Sequence, residues 1–416
     1  MSARVERVLF TEEMKKDYTI LIPTMLPMHF KIIQAVFRQY GYNAVLLENM
    51  GDEVKQCGLR YVHNDTCYPA LLVIGQFIDA LQKGGYDPNK VALMITQTGG
   101  GCRASNYLSL LRKALAKAGY GHIPVISLNF SGLEKHPGFR LSVPLVYKML
   151  TGVIFGDLLM LLHNQVRSYE YEKGASAALC EKWTAKVADL MGKGNFPYSK
   201  IKKTYVEIIK DFDAIPRAPR DKVRVGIVGE IFVKFSPLGN NNLEEFLVSE
   251  NAEVVLPGLL DFILYCIYNY IIDYRLYGIG KAYSVACKVL DKFLLKRQKD
   301  LIRIIEENSS FTPMTPFDHT RTLTKGYIGL GAKMGEGWLL TAEMLELIDQ
   351  GVKNIVCTQP FGCLPNHIMG KGMMKPIKEN HPGVNIVAID YDPGATKINQ
   401  ENRIKLMLAN ADREAE

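Results

Sequence analysis

Two hydrophobic patterns alternate along the chain: short apolar runs and longer stretches in which apolar residues recur at helical spacing. Apolar runs at 18–23, 43–47 and 91–96 predict strands. The sequence LPMHFKIIQAVFRQYG, which ends at Gly41, predicts a helix between the first two. Because strand, helix and strand follow one another, a parallel sheet with helices on its faces is favoured. We therefore predict a Rossmann-like lobe over 1–138.

The second half of the chain returns to the same alternation after a helical region. Residues 139–213 are apolar at helical spacing and predict a helical insert, which ends before the proline-containing linker 214–220. The runs VRVGIVG and VNIVAIDYD are typical of buried strands. A second Rossmann-like lobe is predicted over 221–416, with a helical segment at 258–307. The expected fold class is α/β, with two lobes built on parallel sheets.

Composition narrows the function without identifying it. The chain has 416 residues, of which 48% are hydrophobic and 22% charged, as expected for a globular protein of two or three domains. The net charge of +7 is mild, and no basic run is interleaved with aromatic residues, so we expect no nucleic-acid partner. The N-terminal residues are charged and lack a signal-peptide apolar region.

The longest apolar stretch is LSVPLVYKMLTGVIFGDLLMLL, which is interrupted by Pro144, Lys148, Gly152, Gly156 and Asp157. These interruptions favour a buried helix over a membrane span. We expect a cytoplasmic protein that does not enter a membrane.

The chain contains eight cysteines, and in the cytoplasm these are expected to be reduced thiols. Cys180, Cys266 and Cys287 lie in apolar stretches with helical spacing, where cysteine acts as a small hydrophobic residue. Cys57 is expected in an irregular or edge segment with no chemically notable neighbours. None of these four is a candidate for a functional site.

The other four cysteines are expected at loops or element boundaries. Cys67 follows the helix-capping types Asn-Asp-Thr, so it should lie near a helix N-terminus, where the dipole favours a thiolate. Cys102 follows a glycine loop after a predicted strand, and Cys363 lies in the stiff Pro-Phe-Gly-Cys loop. Cys357 is expected where the apolar run GVKNIV ends.

The glycine loop before Cys102 predicts a particular kind of ligand. Gly99, Gly100 and Gly101 can take positive φ values and let the backbone approach a bulky group. The phosphate-binding patterns GxxxxGK[ST] and GxGxxG are absent, so a nucleotide is a weak interpretation. A glycine loop followed by Cys102 and Arg103 at a helix start fits a metal–sulfur cluster better.

The positions of these cysteines in the predicted fold indicate a shared site more strongly than their spacing in the sequence does. The chain has no CxxC motif, the usual mark of zinc sites and bacterial ferredoxins. We expect Cys67, Cys102 and Cys363 each to lie in a strand-to-helix loop, and such loops share one edge of an open α/β sheet. The three thiols are therefore predicted to converge. His63 and His367 lie near two of them and are not assigned as ligands.

Three motifs, NDTCYPA, QTGGGCRASNY and CTQPFGCLPNH, together resemble the 2-hydroxyacyl-CoA dehydratase superfamily. The similarity is to the branch related to the C-terminal part of fused CoA-enzyme activases, which includes double-cubane cluster proteins. It runs from about residue 18 to about residue 408 and includes VGIVGEIFVKFSP. The resemblance implies an iron–sulfur cluster between the two lobes, with Cys67 and Cys102 as ligands from the first lobe and Cys363 from the second.

The resemblance also implies a chemistry and partners. The cluster would be a 4Fe-4S cubane or a double cubane, and a separate ATP-hydrolysing iron–sulfur activator would supply its electrons. The expected reaction is a low-potential reduction or radical dehydration in anaerobic metabolism. The N–H groups of Gly100 and Gly101 could donate to cluster sulfurs, and Arg103 would add positive charge. Arg103 can equally be a solvent-facing helix residue.

Two departures from the family leave alternatives open. Dehydratases work as pairs of unlike subunits, whereas this is one chain, and no CoA-binding signature is recognisable. The substrate is therefore an acyl-CoA or another small molecule, and a dimer is one expected state. A non-catalytic electron relay or scaffold for the activator, and a metal-stabilised α/β binding protein, stay as alternatives to an enzyme.

Cys357 also has three open interpretations. It is a fourth ligand that saturates one cubane, a member of a larger cluster, or the end of a buried strand.

Overall fold

Two four-stranded sheets form the framework of the molecule, one in each half of the chain. A computed structural model describes residues 7–63, 65–97, 100–129, 134–194 and 196–415. The strands are β1 Thr19–Pro23, β2 Asn43–Leu47, β3 Val91–Thr96, β4 Val125–Leu128, β5 Arg224–Gly229, β6 Glu253–Val255, β7 Asn354–Pro360 and β8 Asn385–Tyr391. Their order is β2-β1-β3-β4 in the first sheet and β6-β5-β7-β8 in the second. All pairings within both sheets are parallel, so the predicted α/β class with two parallel sheets is confirmed.

Helices of the N-terminal half connect and cover its sheet. They are α1 Met14–Asp17, α2 Pro27–Gln39, α3 Asp52–Tyr61, α4 Tyr68–Lys83 and α5 Tyr107–Lys117. Cys57 lies half-buried within α3, so the expectation of an irregular segment there was wrong. Two acidic residues, Asp52 and Glu53, begin this helix and suit its N-terminal dipole. Val54 and Gly58 form its buried face.

Three long helices separate the two sheets along the chain: α6 Val143–Val166, α7 Ala175–Gly192 and α8 Tyr198–Asp213. By length and composition α6 is apolar enough to cross a membrane, but 72% of its most apolar window is buried within the protein. This burial is that of a core helix of a globular protein, as the interruptions in its sequence predicted.

The C-terminal half surrounds its sheet with the remaining helices. They are α9 Ile231–Phe235, α10 Pro237–Asn240, α11 Leu243–Ser249, α12 Leu259–Tyr277, α13 Lys281–Asn308, α14 Phe317–Thr320, α15 Trp338–Asp349, α16 Met374–Asn380 and α17 Lys397–Ala415. The segment before α16 is not a regular α-helix: it has a π-helical turn at Asn366–Gly370 and a 3₁₀ turn at Lys371–Met373. The hydroxyl of Thr341 donates to the Met369 carbonyl (2.7 Å) and so occupies an acceptor of the interrupted segment.

A buried aspartate joins three helices of different parts of the chain. Asp157 of α6 accepts hydrogen bonds from the N–H groups of Leu259 and Leu260 (2.8 and 2.9 Å), the first residues of α12. Its Oδ1 also lies 2.9 Å from Nε2 of His29 in α2. Asp157 therefore satisfies a helix N-terminus that has no acceptor of its own and fixes α2, α6 and α12 to one another.

We expect Asp157→Ala to destabilise the protein by about 3 kcal/mol or more, because buried donors that lose their acceptor cost roughly 1–3 kcal/mol each. Urea unfolding measures the change. The control is Asp189→Ala, at an aspartate whose side chain is 53% exposed and pairs with the exposed Lys193, where a change within about 0.5 kcal/mol is expected. Similar losses in both variants would contradict the role of Asp157.

Candidate functional site

The loops at the carboxyl ends of the strands in the two sheets meet between the two halves of the chain. The N–H of Tyr68, the first residue of α4, donates to the carbonyl of Phe361 in the loop after β7 (3.0 Å). Gly362 has a φ of +72°, and a methyl group on it would lie 3.1 Å from the Cα of Cys67. The backbone of one half therefore touches that of the other at this point.

Cys67 is the N-cap residue of α4 and is 5% exposed. The predicted position at a helix N-terminus is confirmed, although its proposed capping neighbour Asn64 lies outside the described residues. The expected strand-to-helix loop was wrong for this cysteine, because α3 intervenes and Cys67 follows a helix. Its Sγ lies 3.2 Å from the hydroxyl of Tyr107, the first residue of α5.

Cys102 is half-buried and precedes a 3₁₀ turn at Arg103–Asn106 that leads into α5. Gly99 lies outside the described residues, whereas Gly100 has the predicted positive φ, +88°. The N–H of Gly101 donates to the sulfur of Met334 from the other half (3.0 Å). The glycine loop thus permits a close backbone approach, and here it approaches a methionine.

Gly335 lies between Cys102 and the loop of Cys363. A methyl group on Gly335, whose φ is +59°, would lie 3.1 Å from the ring of Pro365 and 3.6 Å from Sγ of Cys102. Cys363 itself is 7% exposed, and its carbonyl lies 2.8 Å from Nδ1 of His367. The loop of Cys363 therefore contacts Cys67 through Gly362 and is separated from Cys102 by Gly335.

The electrostatics place the three thiols in one region. Burial raises the pKa of Cys67, raises that of Cys102 to about 12 and raises that of Cys363 well above its usual value. The charge of Cys67 raises the pKa of Cys102 further, and that of Cys102 raises the pKa of Cys363. Arg103 is exposed, and its charge lowers the pKa of Cys67. The structure thus brings the predicted residues together around one point between the halves.

Two buried glutamates border the same point. Glu230 follows β5 and accepts from the N–H of Val233 (2.9 Å), while Oε1 of Glu336 accepts from the N–H of Ile231 (3.1 Å). Burial and the neighbouring Glu336 raise the pKa of Glu230 to about 8, and burial raises that of Glu336. Their charges also raise the pKa values of Cys102 and Cys363. At neutral pH this pair therefore carries at least one proton.

Sequence reasoning missed Glu230 and Glu336, as well as Tyr107 and Met334. The available signal was the placement of both glutamates beside glycines, in VGE directly after an apolar strand and in GEGW directly before an apolar helix. A carboxylate that follows a buried strand at the carboxyl edge of a sheet is a candidate for the site there.

Cys357 is not where the sequence placed it. Strand β7 continues to Pro360, so Cys357 lies within the strand and not at its end. It is fully buried, and its Sγ lies 3.6 Å from Oδ1 of Asn366. It packs in a core cluster with Val228 and Ile377, and this surrounding favours the buried-strand interpretation.

The donor set was also tested against a single metal ion. Within the part of the chain that the structure describes, no three cysteine, histidine or acidic side chains are arranged to hold one ion. A multi-iron cluster differs in that its thiolates bind different iron atoms and so lie further apart than ligands of one ion. Three cysteines that approach from separate loops fit such a cluster in their donor chemistry.

The comparisons with known proteins do not assign the chain. No family model matches it, and no curated protein matches it.

Gly362→Ala tests the contact between the halves. A left-handed backbone costs a non-glycine residue roughly 1–2 kcal/mol, and here the added methyl would also press against the Cys67 backbone. Gly383→Ala is the matched control, since Gly383 has a similar φ of +79° and open space around it. We expect Gly362→Ala to lose clearly more stability in urea unfolding than Gly383→Ala, by about 1–3 kcal/mol. Equal losses would show that the contact is not tight.

Proposed function

We propose that this chain is a cytoplasmic iron–sulfur protein of the 2-hydroxyacyl-CoA dehydratase type. It would perform an ATP-dependent low-potential reduction or radical dehydration with electrons from a separate ATP-hydrolysing activator. The observation that carries the proposal is that loops of both halves bring Cys67, Cys102 and Cys363 together: Gly362 contacts the Cys67 backbone, and Gly335 lies between Cys102 and Pro365. The donor chemistry of three thiols fits an iron–sulfur cluster.

Each residue of the site has a defined part in this proposal. Cys67, Cys102 and Cys363 would hold the cluster as thiolates, a 4Fe-4S cubane or a larger double cubane. When bound, such a cluster supplies one-electron transfer at low potential and, at an iron without a cysteine ligand, Lewis acidity. Gly100 and Gly101 would lie beside the cluster, and in this structure both contact the side chain of Met334.

The remaining residues set the charge, proton supply and access of the site. Arg103 adds positive charge near an anionic group. Glu230 holds a proton at neutral pH in a buried place and can act as a general acid at its carboxyl oxygen, and burial raises the pKa of its neighbour Glu336 as well. The hydroxyl of Tyr107 orients Cys67 through their contact of 3.2 Å.

An apolar rim beside the site supports a partner or a substrate. Phe361, Leu364, Ile368 and Met334 are 45–66% exposed, and three of them lie within five residues of Cys363. Large apolar side chains that are exposed together mark a surface for a protein partner or ligand more often than inert surface. The activator, or the acyl-CoA or other substrate, would contact this rim.

Anaerobic reconstitution with iron and sulfide, followed by iron counting and EPR, tests the ligands. We expect Cys102→Ser and Cys363→Ser to lose most of the iron, since each removes one of three thiolates. Cys180→Ser is the control, because Cys180 is about as buried as Cys363 but lies in α7 away from the site. Equal iron content in all three variants would refute the ligand assignment, and no iron in the unaltered protein would refute the proposed function.

Reduction by an activator with ATP separates an enzyme from an electron relay. We expect turnover of an acyl-CoA or related substrate by the reconstituted protein, measured as product per chain. Electron uptake with no product on any substrate would instead support the relay interpretation.

A further inference from the structure

Three buried carboxyl side chains follow one another in α15 and directly before it. We call them the row; its first member, Glu336, lies nearest the cysteine site. Glu336 directly precedes the N-cap of the helix, and Glu343 and Glu346 lie within it. All three are at most 6% exposed. Glu343 and Glu346 are three residues apart and lie on one face of the helix, whereas Glu336 lies just before the helix begins.

The far end of the row reaches a cavity. Glu346 and Asp261 both line it, and its wall also includes Arg220 and Thr312, which are exposed, so the cavity opens toward solvent. Burial and the neighbouring Glu343 raise the pKa of Glu346 to about 8, and burial and the charge of Glu346 raise that of Asp261. Glu346 therefore holds a proton at neutral pH, beside a cavity large enough to admit water.

The middle of the row is joined by a buried cation. Nζ of Lys234 lies 2.8 Å from Oε1 of Glu343, and both side chains are at most 3% exposed. The charge of Lys234 lowers the pKa values of Glu336 at one end and Glu346 at the other. Lys234 thus lies within electrostatic reach of both halves of the row.

The near end has an oxygen with no protein partner. Glu336 is buried, its Oε1 accepts from the Ile231 N–H, and its Oε2 has no hydrogen-bond partner among the residues that the structure describes. A buried polar atom of this kind is costly unless something binds it. Oε2 is available to take a proton, and the charge of Glu336 raises the pKa values of Cys102 and Cys363.

We propose that Asp261, Glu346, Glu343, Lys234 and Glu336 form a buried proton path from the cavity to the cysteine site. Water in the cavity gives a proton to the Asp261–Glu346 pair, so that an O–H bond forms on the carboxyl as one breaks on the donor. The proton passes through Glu343 and the Lys234 ammonium to Oε2 of Glu336. One proton moves and no electron does. The path itself does not depend on the proposed function. Only the use of its proton in a reaction at the cysteine site rests on that function.

The path can be tested on the protein without any metal. Infrared spectroscopy after rapid transfer to D₂O follows the carbonyl band of a protonated carboxyl group as O–H becomes O–D. The band of Glu336 is identified by its loss in Glu336→Gln, and its exchange rate reports how fast protons reach that end. Iron content after reconstitution is measured separately, so failure of the path and failure of iron binding are distinguishable.

Two variants interrupt the path, and one serves as a control. Glu346→Gln keeps the shape of a protonated acid but cannot pass a proton readily. The double variant Lys234→Met with Glu343→Gln removes the buried ion pair together and leaves no unpaired charge. Asp79→Asn alters an equally buried carboxylate in α4 of the N-terminal half, away from the path. This carboxylate accepts a hydrogen bond from the side chain of Asn49.

We expect both path variants to slow the exchange of Glu336 by roughly 10²-fold, the lower end of what a positioned acid–base group contributes. Asp79→Asn should exchange at the unaltered rate, and iron content should be unchanged in every variant. Exchange at the unaltered rate in both path variants, or equal slowing in Asp79→Asn, would overturn the proposal.

Discussion

The hydrogen bond from the Tyr68 N–H to the Phe361 carbonyl is the constraint on which the site depends. The first N–H groups of α4 have no acceptor within the helix, and the loop after β7 supplies one from the other half of the chain. Gly362, whose φ is +72°, lets this loop come within van der Waals contact of Cys67. Without this approach Cys67 and Cys363 would belong to separate lobes and not to one site.

The C-terminal half contains many buried acids, and their protonation explains how the fold tolerates them. Ionised carboxylates in an apolar interior are prohibitively costly, and Lys234 can balance only one of them. The raised pKa values of Glu230 and Glu346, each about 8, show how the fold meets this cost, since these groups keep protons at neutral pH. Burial raises the pKa of Asp261 in the same direction. Groups that hold a proton near neutrality are also able to give it up there. The burial that stores protons along α15 therefore makes the row suited to conduct them.

Much of the fold could be predicted from the sequence, because apolar periodicity reports burial directly. It located β1 to within one residue and the burial of α6. The errors arose where packing overrides local pattern. Nothing local to Cys357 shows that its strand runs on to Pro360, and the helix α3 is too polar to be distinguished from a loop. Glu230 and Glu336 escaped because a glutamate beside glycine looks like a surface residue until the surrounding structure buries it.

Both sheets have the same strand order, with the first strand of each half beside the third, so each presents its carboxyl edge at an equivalent switch point. The cysteines follow this symmetry only in part, since two come from the first half and one from the second. A group bound by all three must therefore hold the two halves in one relative arrangement. Its binding free energy then adds to the contacts of Gly101 with Met334 and of Tyr68 with Phe361. Ligand binding and the closed arrangement of the halves are consequently linked, and each stabilises the other.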